Sequence, residues 1–523
     1  LYGVDIMAEA TEIAKLRLFL KMVAVVEVDM RADNLGLDPL PDIDFNIRCG
    51  NTLVGYATEA ELNRDLKFAK DIYEELANQE FKEKLENEMQ KTAMAFNIFK
   101  QVQFRQEEDM AEFKKAKKQL RERLFALNDT LNQRLFIATG DGKPEHFDAW
   151  KASHQPFHWL AEFYEIIKGN GGFDVIIGNP PYVEYNKKDK DTGLAVSDLY
   201  SVDGYVTKSC SNLYAYCVER SKYLLRQTGY FGMIIPLSLS CGDRMGGLRS
   251  FVDFSYNSFY LSNFEIFPSK LFDGAFQRVT ILLSNNNNEG KYVTKLHRWY
   301  AIERDNLFKK IRFTLADGKY TQLGFAKLFT SKHRKIIESV QSSLTIASLC
   351  SVSSKNMIYY QEATNYWMKA SMRIPYYSKN SIVGKPAHGR FLYFKTIQGR
   401  NAVFALLNSS MFYCWYSAFS DGFHLTDGLV KTMPIKSNTV MDKGIFLLAE
   451  ALEEDIKRNS FITTRNTKTD NIELESFKLN ASKPIIDEID KVLAKHYGFT
   501  DEELDFIINY DIKYRMGDEL NEE

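Results

Sequence analysis

Apolar and polar positions divide the chain into stretches of different periodicity. Residues 1–60 begin with a short apolar strand, LYGVDI, continue with a helix-spaced run, AEATEIAKLRLFLKMV, and end in a loop and a further strand. Residues 61–135 are rich in Glu, Lys, Gln and Leu and hold neither Pro nor Gly. This composition predicts an antiparallel pair of long helices, which we interpret as a spacer without chemistry.

Strands and helices alternate again from residue 173 onward. FDVIIG and YFGMIIP are apolar strands, and NLYAYCVERSKYLLRQTG between them is predicted to be a helix that ends at Gly229. FEIFPS and RVTILLS are predicted as further strands. Such alternation predicts a doubly wound α/β sheet.

The pattern changes in the second half of the chain. Residues 325–440 are aromatic and basic, as in RIPYYSKN and SSMFYCWYSAF, and predict a mainly β or α+β domain with many loops. Residues 441–523 read as helical, with a Thr- and Asn-rich linker, ITTRNTKTDN, in the middle. The predicted boundaries are therefore 1–60, 61–135, 136–324, 325–440 and 441–523.

Charge is unevenly distributed, although the formal net charge is only -2. Residues 325–400 hold 12 Lys and Arg against two acids, a surplus of +10. Residues 441–523 hold 20 acids against 11 Lys and Arg, a balance of -9. A concentrated positive segment suits a polyanion, and a solvated charged face is the alternative interpretation.

Cysteine usage and hydropathy exclude some classes of protein. The six cysteines form no CxxC pair, and no run of 18 apolar residues occurs. We therefore expect no metal site, no membrane-spanning helix and a cytoplasmic location. Because Leu1 lies directly in a predicted strand, we also expect these residues to be part of a longer polypeptide.

The sequence Asn179-Pro180-Pro181-Tyr182 follows an apolar strand directly. An Asn at the carboxyl end of a parallel strand lies where α/β folds bind ligands. Its side-chain carbonyl and the Pro180 carbonyl can accept two hydrogen bonds from one exocyclic amino group, and Pro181 brings no N–H to compete. Two such acceptors draw the nitrogen lone pair out of conjugation, so the amine can attack a methyl group on a sulfonium. Tyr182 offers an aromatic face for a stacked base, which implies base flipping.

IIGNPPYV resembles the catalytic loop of amino-group methyltransferases that use S-adenosylmethionine. Apart from the helical stretch, nearly the whole chain is similar to N6-adenine DNA methyltransferases of type IIG restriction–modification systems and related phage-defence enzymes. The motif order is that family's γ arrangement. The resemblance implies a Rossmann-like methyltransferase sheet with a helical insertion, an α+β target recognition domain and a helical C-terminal segment. The implied activity is methyl transfer to adenine N6 in double-stranded DNA.

The same resemblance assigns residues to the cofactor. LYGVDI is similar to the family's second cofactor strand, where Asp5, next to Ile6, would accept hydrogen bonds from the ribose hydroxyls. IDFNIRCGNTLVG resembles the next cofactor element, in which Asn51 would contact the adenine of the cofactor. A plain Gly-Asn turn is the alternative for Asn51. Asn179 is expected to border both the cofactor and the target base.

Other residues are assigned to the DNA. FPSKLFDGAFQRVTILL resembles the element that supplies an aromatic wall against the flipped base. Phe276 is the preferred candidate for this wall and Phe272 is the alternative. The other interpretation is that either residue is part of the core. Residues 325–440 fall where the target-reading domain belongs. Cationic side chains there can contact phosphates or base edges. The candidates are Lys355, Arg373, Lys379, Lys385, Arg390 and Arg400.

Two parts of the family's pattern are not found in these residues. The first cofactor motif, a Gly-containing loop, is expected just before Leu1. The Gly-rich sequences GNGG at 169–172 and GDRMGG at 242–247 lie at the wrong positions in the chain to be this motif. The nuclease carboxylates of type IIG enzymes have no credible copy, since EEDIK at 453–457 lies in a helical pattern. We expect both parts in a preceding portion of the polypeptide, and weak or absent cofactor binding without the first strand.

Two alternative functions stay open. One is methylation of a glutamine side-chain amide in a protein, which uses a similar loop, although the long target-reading region argues against it. The other is a sequence-specific DNA-binding module that lacks activity because the first cofactor motif is absent.

Overall fold

The structure is a computed structural model of the chain and describes residues 1–517 apart from 33–34, 36–39, 67–71, 104–109, 317–322, 365, 387 and 468. The chain divides into two compact units. The first unit comprises Leu1–Met233, Phe254–Tyr256 and Ser284–Asn287. The second comprises Ile234–Asp253, Asn257–Leu283 and Asn288–Glu523.

Two pairs of parallel strands form the β-structure of the first unit. The strands are β1 (Gly3–Asp5), β2 (Ile47–Cys49), β3 (Phe173–Gly178) and β4 (Leu225–Pro236), the last of which continues past Met233 into the second unit. β1 pairs with β2, and β3 pairs with β4 from Phe173 opposite Leu225 to Gly178 opposite Met233. Parallel pairs need long crossover connections, and helices occupy those connections here.

The helices of the first unit surround these strands. They are α1 (Ala8–Ala24), α2 (Glu59–Leu66), α3 (Ile72–Gln103), α4 (Met110–Thr139), α5 (Phe147–His154), α6 (Trp159–Glu162), α7 (Val196–Leu199) and α8 (Leu213–Leu224). The rings of Phe99 and Phe113 lie 5.5 Å apart, and Glu88 lies 3.7 Å from Arg123. These contacts show that α3 and α4 run antiparallel, as the sequence predicts for this region.

α8 is shorter than predicted. It begins after Asn212, whose side chain accepts a hydrogen bond from the backbone of Tyr214, and it ends at Leu224 rather than Gly229. β4 begins at the next residue, and Leu225 lies opposite Phe173 of β3 in the parallel pair. Residues 225–229, which the helical periodicity predicts to be part of the helix, therefore belong to the strand that pairs with β3.

Three groups of strands lie in the second unit. The strands are β5 (Ser258–Phe264), β6 (Val279–Asn285), β7 (Gly290–His297), β8 (Thr314–Leu315), β9 (Cys350–Ser351), β10 (Met357–Gln361), β11 (Tyr377–Lys379), β12 (Ile382–Val383), β13 (Gly389–Phe394), β14 (Ser460–Asn466) and β15 (Asn471–Phe477). The orders are β6-β5-β7-β8, β10-β13-β9 and β12-β11-β15-β14. β5 and β7 are parallel whereas β7 and β8 are antiparallel, so the fold is mixed α/β. The strand predicted at FEIFPS is misplaced, because β5 precedes this sequence and ends at its first residue, Phe264.

The helices of the second unit pack into an apolar core. They are α9 (Ser238–Cys241), α10 (Gly246–Ser255), α11 (Ser331–Ser339), α12 (Ile346–Leu349), α13 (Ile397–Asn408), α14 (Ser410–Phe419), α15 (Asp427–Thr432), α16 (Ser437–Met441), α17 (Lys443–Arg458), α18 (Lys483–Tyr497), α19 (Asp501–Ile508) and α20 (Ile512–Arg515). Phe404, Phe412, Leu452 and Ile489 belong to this core. Among the described residues, no helix has the length and apolar character needed to cross a bilayer.

The sequence SSMFYCWYSAF forms α14, a helix that the short-period aromatic pattern did not predict. Every residue of α14 is buried. A helix that is covered on all sides carries no polar face, so its sequence shows no helical alternation of apolar and polar positions.

The predicted linker ITTRNTKTDN within a helical segment is wrong. Residues 462–466 of this stretch form most of β14, and Asn471 begins β15. The two strands are an antiparallel hairpin in which Ser460 pairs with Phe477 and Asn466 with Asn471. Ile and Thr favour strands because their branched side chains suit a pleated surface. The hairpin also pairs with β11, far earlier in the chain, and local periodicity cannot reveal such a partner.

Core packing around α14 gives a stability prediction. Phe412 is fully buried, whereas Leu447 on α17 is 66% exposed. Phe412→Ala should lower the free energy of unfolding by about 3–5 kcal/mol, because it leaves a cavity. Leu447→Ala should change it by less than about 0.5 kcal/mol. Urea unfolding followed by circular dichroism measures both, and similar values for the two variants would contradict this core.

Candidate active site

The Asn179–Tyr182 turn lies at the carboxyl end of β3. Asn179 and Pro181 are exposed, Pro180 is buried and Tyr182 is half-buried. Beyond the turn, Leu213 donates its backbone N–H to the Val183 carbonyl at 2.9 Å. The turn is therefore fixed by β3 on one side and by the start of α8 on the other.

Tyr182 and Asn179 contact each other directly. The Tyr182 hydroxyl donates a hydrogen bond to Asn179 Oδ1 at 2.9 Å, and the Tyr182 ring meets Tyr214 edge-on at 6.4 Å. Burial raises the pKa of Tyr182 to about 12, so the hydroxyl keeps its proton at neutral pH. A carbonyl oxygen has two lone pairs, so Asn179 Oδ1 retains capacity for a second donor.

A cavity of about 950 Å³ in the first unit brings the predicted residues of three segments together. Asp5 and Ile6 line it from the end of β1, and Asn51 lines it from the loop after β2. Asn179 lines it from the end of β3, together with the two prolines of the turn. Tyr182 is not among its lining residues. Val175 and Ile177 of β3 also border the cavity and are 56% and 79% exposed, respectively.

Asp5 places a carboxylate at the end of β1. Its Oδ1 accepts a hydrogen bond from the Met7 backbone N–H at 2.8 Å, and its backbone carbonyl accepts from Gly50 at 2.9 Å. Within the described residues, no donor to Oδ2 is found. Asp5 and its neighbour Ile6 are both exposed, so the free oxygen can take a donor from a ligand.

Asn51 is buried, with 6% of its surface exposed. Its Oδ1 accepts from the Leu53 backbone at 3.1 Å, and its own N–H donates to the Gln155 carbonyl at 2.7 Å. Tyr200 lines the same cavity; burial raises the pKa of its hydroxyl, and the neighbouring Asn51 side chain opposes that rise. Tyr200 is not predictable from the sequence pattern, because it lies in a segment without periodicity and comes near Asn51 only through the fold.

The aromatic candidates Phe272 and Phe276 belong to the second unit and are not core residues. They are 41% and 73% exposed, and Lys270 Nζ lies 3.9 Å from the centre of the Phe276 ring. At the base of this loop, Arg278 is ion-paired with the buried Glu265. Arg304 donates to the Leu271 carbonyl at 3.1 Å. The loop thus presents aromatic side chains from a fixed base.

The cationic candidates fall into two groups. Arg373 forms a two-nitrogen contact with Glu475, Lys379 lies 3.0 Å from Asp470, and Arg390 lies 3.0 Å from Glu362. These three are held within the chain and are not free to bind a polyanion without losing their partners.

The remaining candidates have no carboxylate partner among the described residues. Lys355 and Lys385 are exposed. Arg400 is half-buried and donates to Asn401 Oδ1, at 2.9 Å from Nε. No group of three or more His, Cys, Asp or Glu suited to a metal ion is found in the described part of the chain.

The sequence matches a known family over more than half of its length. The profile of the family described as Eco57I restriction-modification methylase matches residues 1–272. A Methanocaldococcus jannaschii protein, whose name describes a type II restriction enzyme and methyltransferase, is 30% identical over 307 residues. That alignment covers 53% of this chain and 25% of the relative. The chain thus spans about a quarter of the length of the curated relative it matches.

Two solved structures are similar at low identity. One is a nuclease-deletion mutant of the Type ISP restriction-modification enzyme LlaGI in complex with a DNA substrate mimic, at 9% identity and a TM-score of 0.32. The match covers 62% of this chain and 49% of that chain. The other is the type IIG restriction endonuclease BpuSI, at 10% identity and a TM-score of 0.24, covering 64% and 52% of the two chains. These scores are too low to carry an argument about the site.

The contact between Arg373 and Glu475 gives a prediction about stability. Arg373 lowers the pKa of Glu475 to about 2, mainly through their hydrogen bonds. Arg373→Gln and Glu475→Gln should each destabilise the chain, and the double variant should lose less than the sum of the two. The expected coupling is about 0.5–3 kcal/mol. Urea unfolding of the four proteins measures it, and strictly additive losses would show that the pair contributes nothing.

Proposed function

The chain belongs to the Eco57I restriction-modification methylase family, and from this premise we propose that it transfers a methyl group from S-adenosylmethionine to adenine N6 in a specific sequence of duplex DNA. We place this activity in a type IIG-like restriction–modification or phage-defence system. The observation that carries the proposal is the Asn179-Pro180 acceptor pair at the end of β3, in which Asn179 is exposed and both residues line the large cavity.

The acceptor pair suits an exocyclic amine. Within the described residues, no donor to the Pro180 carbonyl is found, and Tyr182 uses only one lone pair of Asn179 Oδ1. The two oxygens can accept both hydrogens of one NH₂ group and so localise its lone pair on nitrogen. Neither oxygen is a base at neutral pH. Their contribution is therefore orientation and polarisation, which are large terms in group transfer.

The tyrosine supports the planar part of the target base. Tyr182 is held by its bond to Asn179 and by its edge contact with Tyr214, so its ring orientation is set before a ligand arrives. Stacking of a base on an aromatic ring contributes about 1–3 kcal/mol. That is of the order of the energy needed to extrude a base from a duplex. We also keep Phe276 as a proposed aromatic contact to the DNA.

The lining of the cavity fits a nucleoside cofactor. The Asp5 carboxylate can accept hydrogen bonds from ribose hydroxyls, and the Asn51 segment can contact an adenine edge. Asn179 borders the same space. When bound, S-adenosylmethionine supplies a methyl group on a positively charged sulfur. The parallel strands β3 and β4 support the Rossmann-like interpretation, in which ligands bind at the carboxyl ends of strands.

Asn179→Ala tests the proposed reaction. Loss of one acceptor should lower methyl transfer by about 100-fold or more, comparable to removing one preorganised polar group from other active sites. DNA binding should stay nearly intact, because the side chain contributes one contact among many. Tritiated S-adenosylmethionine with adenine-containing duplex DNA measures transfer. Asn186→Ala, at an exposed asparagine in the following segment, is the matched control.

The same assay distinguishes the alternative activities. Label transferred to protein glutamine and not to DNA would replace the proposed substrate. Salt-sensitive DNA binding without label transfer would support a DNA-binding module. Equal transfer by the Asn179→Ala variant and the unaltered chain would show that the acceptor pair is assigned wrongly.

The unpaired lysines give a prediction about DNA affinity. Lys355→Glu combined with Lys385→Glu should weaken duplex binding by about tenfold or more, because each change replaces attraction to phosphate by repulsion. Methyl transfer at saturating DNA should change much less. Fluorescence anisotropy at several salt concentrations measures the affinity. Lys309→Glu with Lys443→Glu, at two other exposed lysines of the second unit, controls for the change in net charge.

A further inference from the structure

The four-stranded sheet β12-β11-β15-β14 has two distinct faces. Side chains alternate along each strand, and the register places Arg465 and Lys379 opposite Ile472, and Ile382 opposite Lys379. The outer face therefore consists of the odd-numbered residues of β11 and β14 with the even-numbered residues of β12 and β15. The inner face consists of the remaining residues.

Contacts within the second unit show which face is covered. On the inner face, Phe477 packs against the apolar core and Glu475 binds Arg373. Ser378, on the same face, is only 2% exposed. The core of the unit thus lies against the inner face, and the outer face points away from that core.

No strand residue of the outer face is acidic. The face has the cation Arg465, the cation Lys379, which is paired with Asp470 from the turn after β14, and exposed apolar groups at Phe461 and Ile382. Both acidic residues of the strands, Glu473 and Glu475, lie on the inner face. In the part of the chain that the structure describes, no ion-pair partner of Arg465 is found. Because side chains alternate between the two faces of a strand, the basic and the acidic residues of these strands lie on opposite faces of the sheet.

Hydrogen bonds and an ion pair connect the tips of the β11–β12 and β14–β15 hairpins. Asp470 in the turn after β14 accepts from Asn380 Nδ2 at 3.1 Å and from Lys379 Nζ at 3.0 Å. Asn380 Oδ1 in turn accepts from the Asn471 backbone at 2.8 Å. Asn380 and Ser381 both have positive φ, as in the two-residue turns that match the twist of a hairpin. Because these contacts fix the hairpins before binding, a partner can bind the face with little loss of conformational entropy.

We infer that the outer face of this sheet is a DNA-binding surface, with Arg465 contacting the phosphate backbone. An exposed cation without an ion-pair partner among the described residues, on a face whose strand residues include no acid, complements a polyanion. The inference rests on the proposed function and extends its DNA contacts to residues 460–477, outside the predicted target-reading domain.

Photo-crosslinking at two adjacent positions tests the face directly. Phe461 and Ile462 are 54% and 53% exposed, yet they lie on the outer and the inner face, respectively. p-Benzoylphenylalanine is introduced as Phe461→p-benzoylphenylalanine or Ile462→p-benzoylphenylalanine, and each protein is irradiated with a labelled mixed-sequence duplex. We expect position 461 to crosslink at least several-fold more than position 462. Equal yields, or a stronger crosslink at 462, would overturn the inference.

A charge series at Arg465 gives an independent readout. Arg465→Gln should weaken binding of the same duplex by about tenfold and reduce the slope of log affinity against log salt by about 1. Arg465→Lys keeps the charge and should restore most of both. Arg458→Gln removes another exposed cation, outside the sheet, and should leave affinity within about twofold. Thermal melts confirm that all three variants are folded.

The outcomes separate this inference from the proposed function. If the unaltered chain binds the duplex and Arg465→Gln binds equally well with the same salt slope, the outer face is not the contact and the proposed function stands. If the unaltered chain binds no duplex at all, both fail. If Arg465→Gln loses affinity, the unaltered chain transfers label to DNA, and Asn179→Ala keeps affinity but loses transfer, both hold. If Arg465→Gln loses affinity and the unaltered chain transfers no label, the inference holds and the proposed function fails.

Discussion

The proposed function depends on one constraint, the placement of two carbonyl oxygens at the end of β3. Proline fixes its own φ, so Asn179 and Pro180 cannot drift far from the direction in which β3 leaves them. One amine can donate two hydrogen bonds only if both acceptors are in place. Displacement of either acceptor therefore loses one of the two bonds. The parallel pairing of β3 with β4 and the contact between Val183 and Leu213 hold the turn in place.

In the proposed function, the hydrogen bond from Tyr182 to Asn179 would link recognition of the base to its chemistry. The amide of Asn179 can rotate about its side-chain bonds, and the hydroxyl restrains that rotation. Since burial keeps the hydroxyl protonated, the restraint persists across the physiological range of pH. The same bond orients the ring on which a base would stack. One contact therefore positions both an acceptor and an aromatic surface.

The local sequence pattern predicted those helices and strands that are determined by residues close together in the sequence. The long helices of 72–103 and 110–139 follow from composition, and β3 and the exposed turn after it follow from an apolar run ended by Pro. The failures have non-local causes. α14 lacks a polar face because tertiary packing buries every one of its residues, and the β14–β15 hairpin pairs with β11. Likewise, Arg373 looked like a free cation because its partner Glu475 lies about a hundred residues away in the sequence.

The charge distribution of the second unit illustrates why a linear count of charges misleads. The basic segment 325–400 and the acidic segment 441–523 meet in ion pairs, so part of the positive surplus is neutralised inside the chain. What matters for a polyanion is the charge left unpaired on one surface. The outer face of the four-stranded sheet meets that condition with Arg465, a residue from the acidic segment. Strand alternation, which assigns neighbouring residues to opposite faces, can thus create a basic surface within a sequence that is acidic overall.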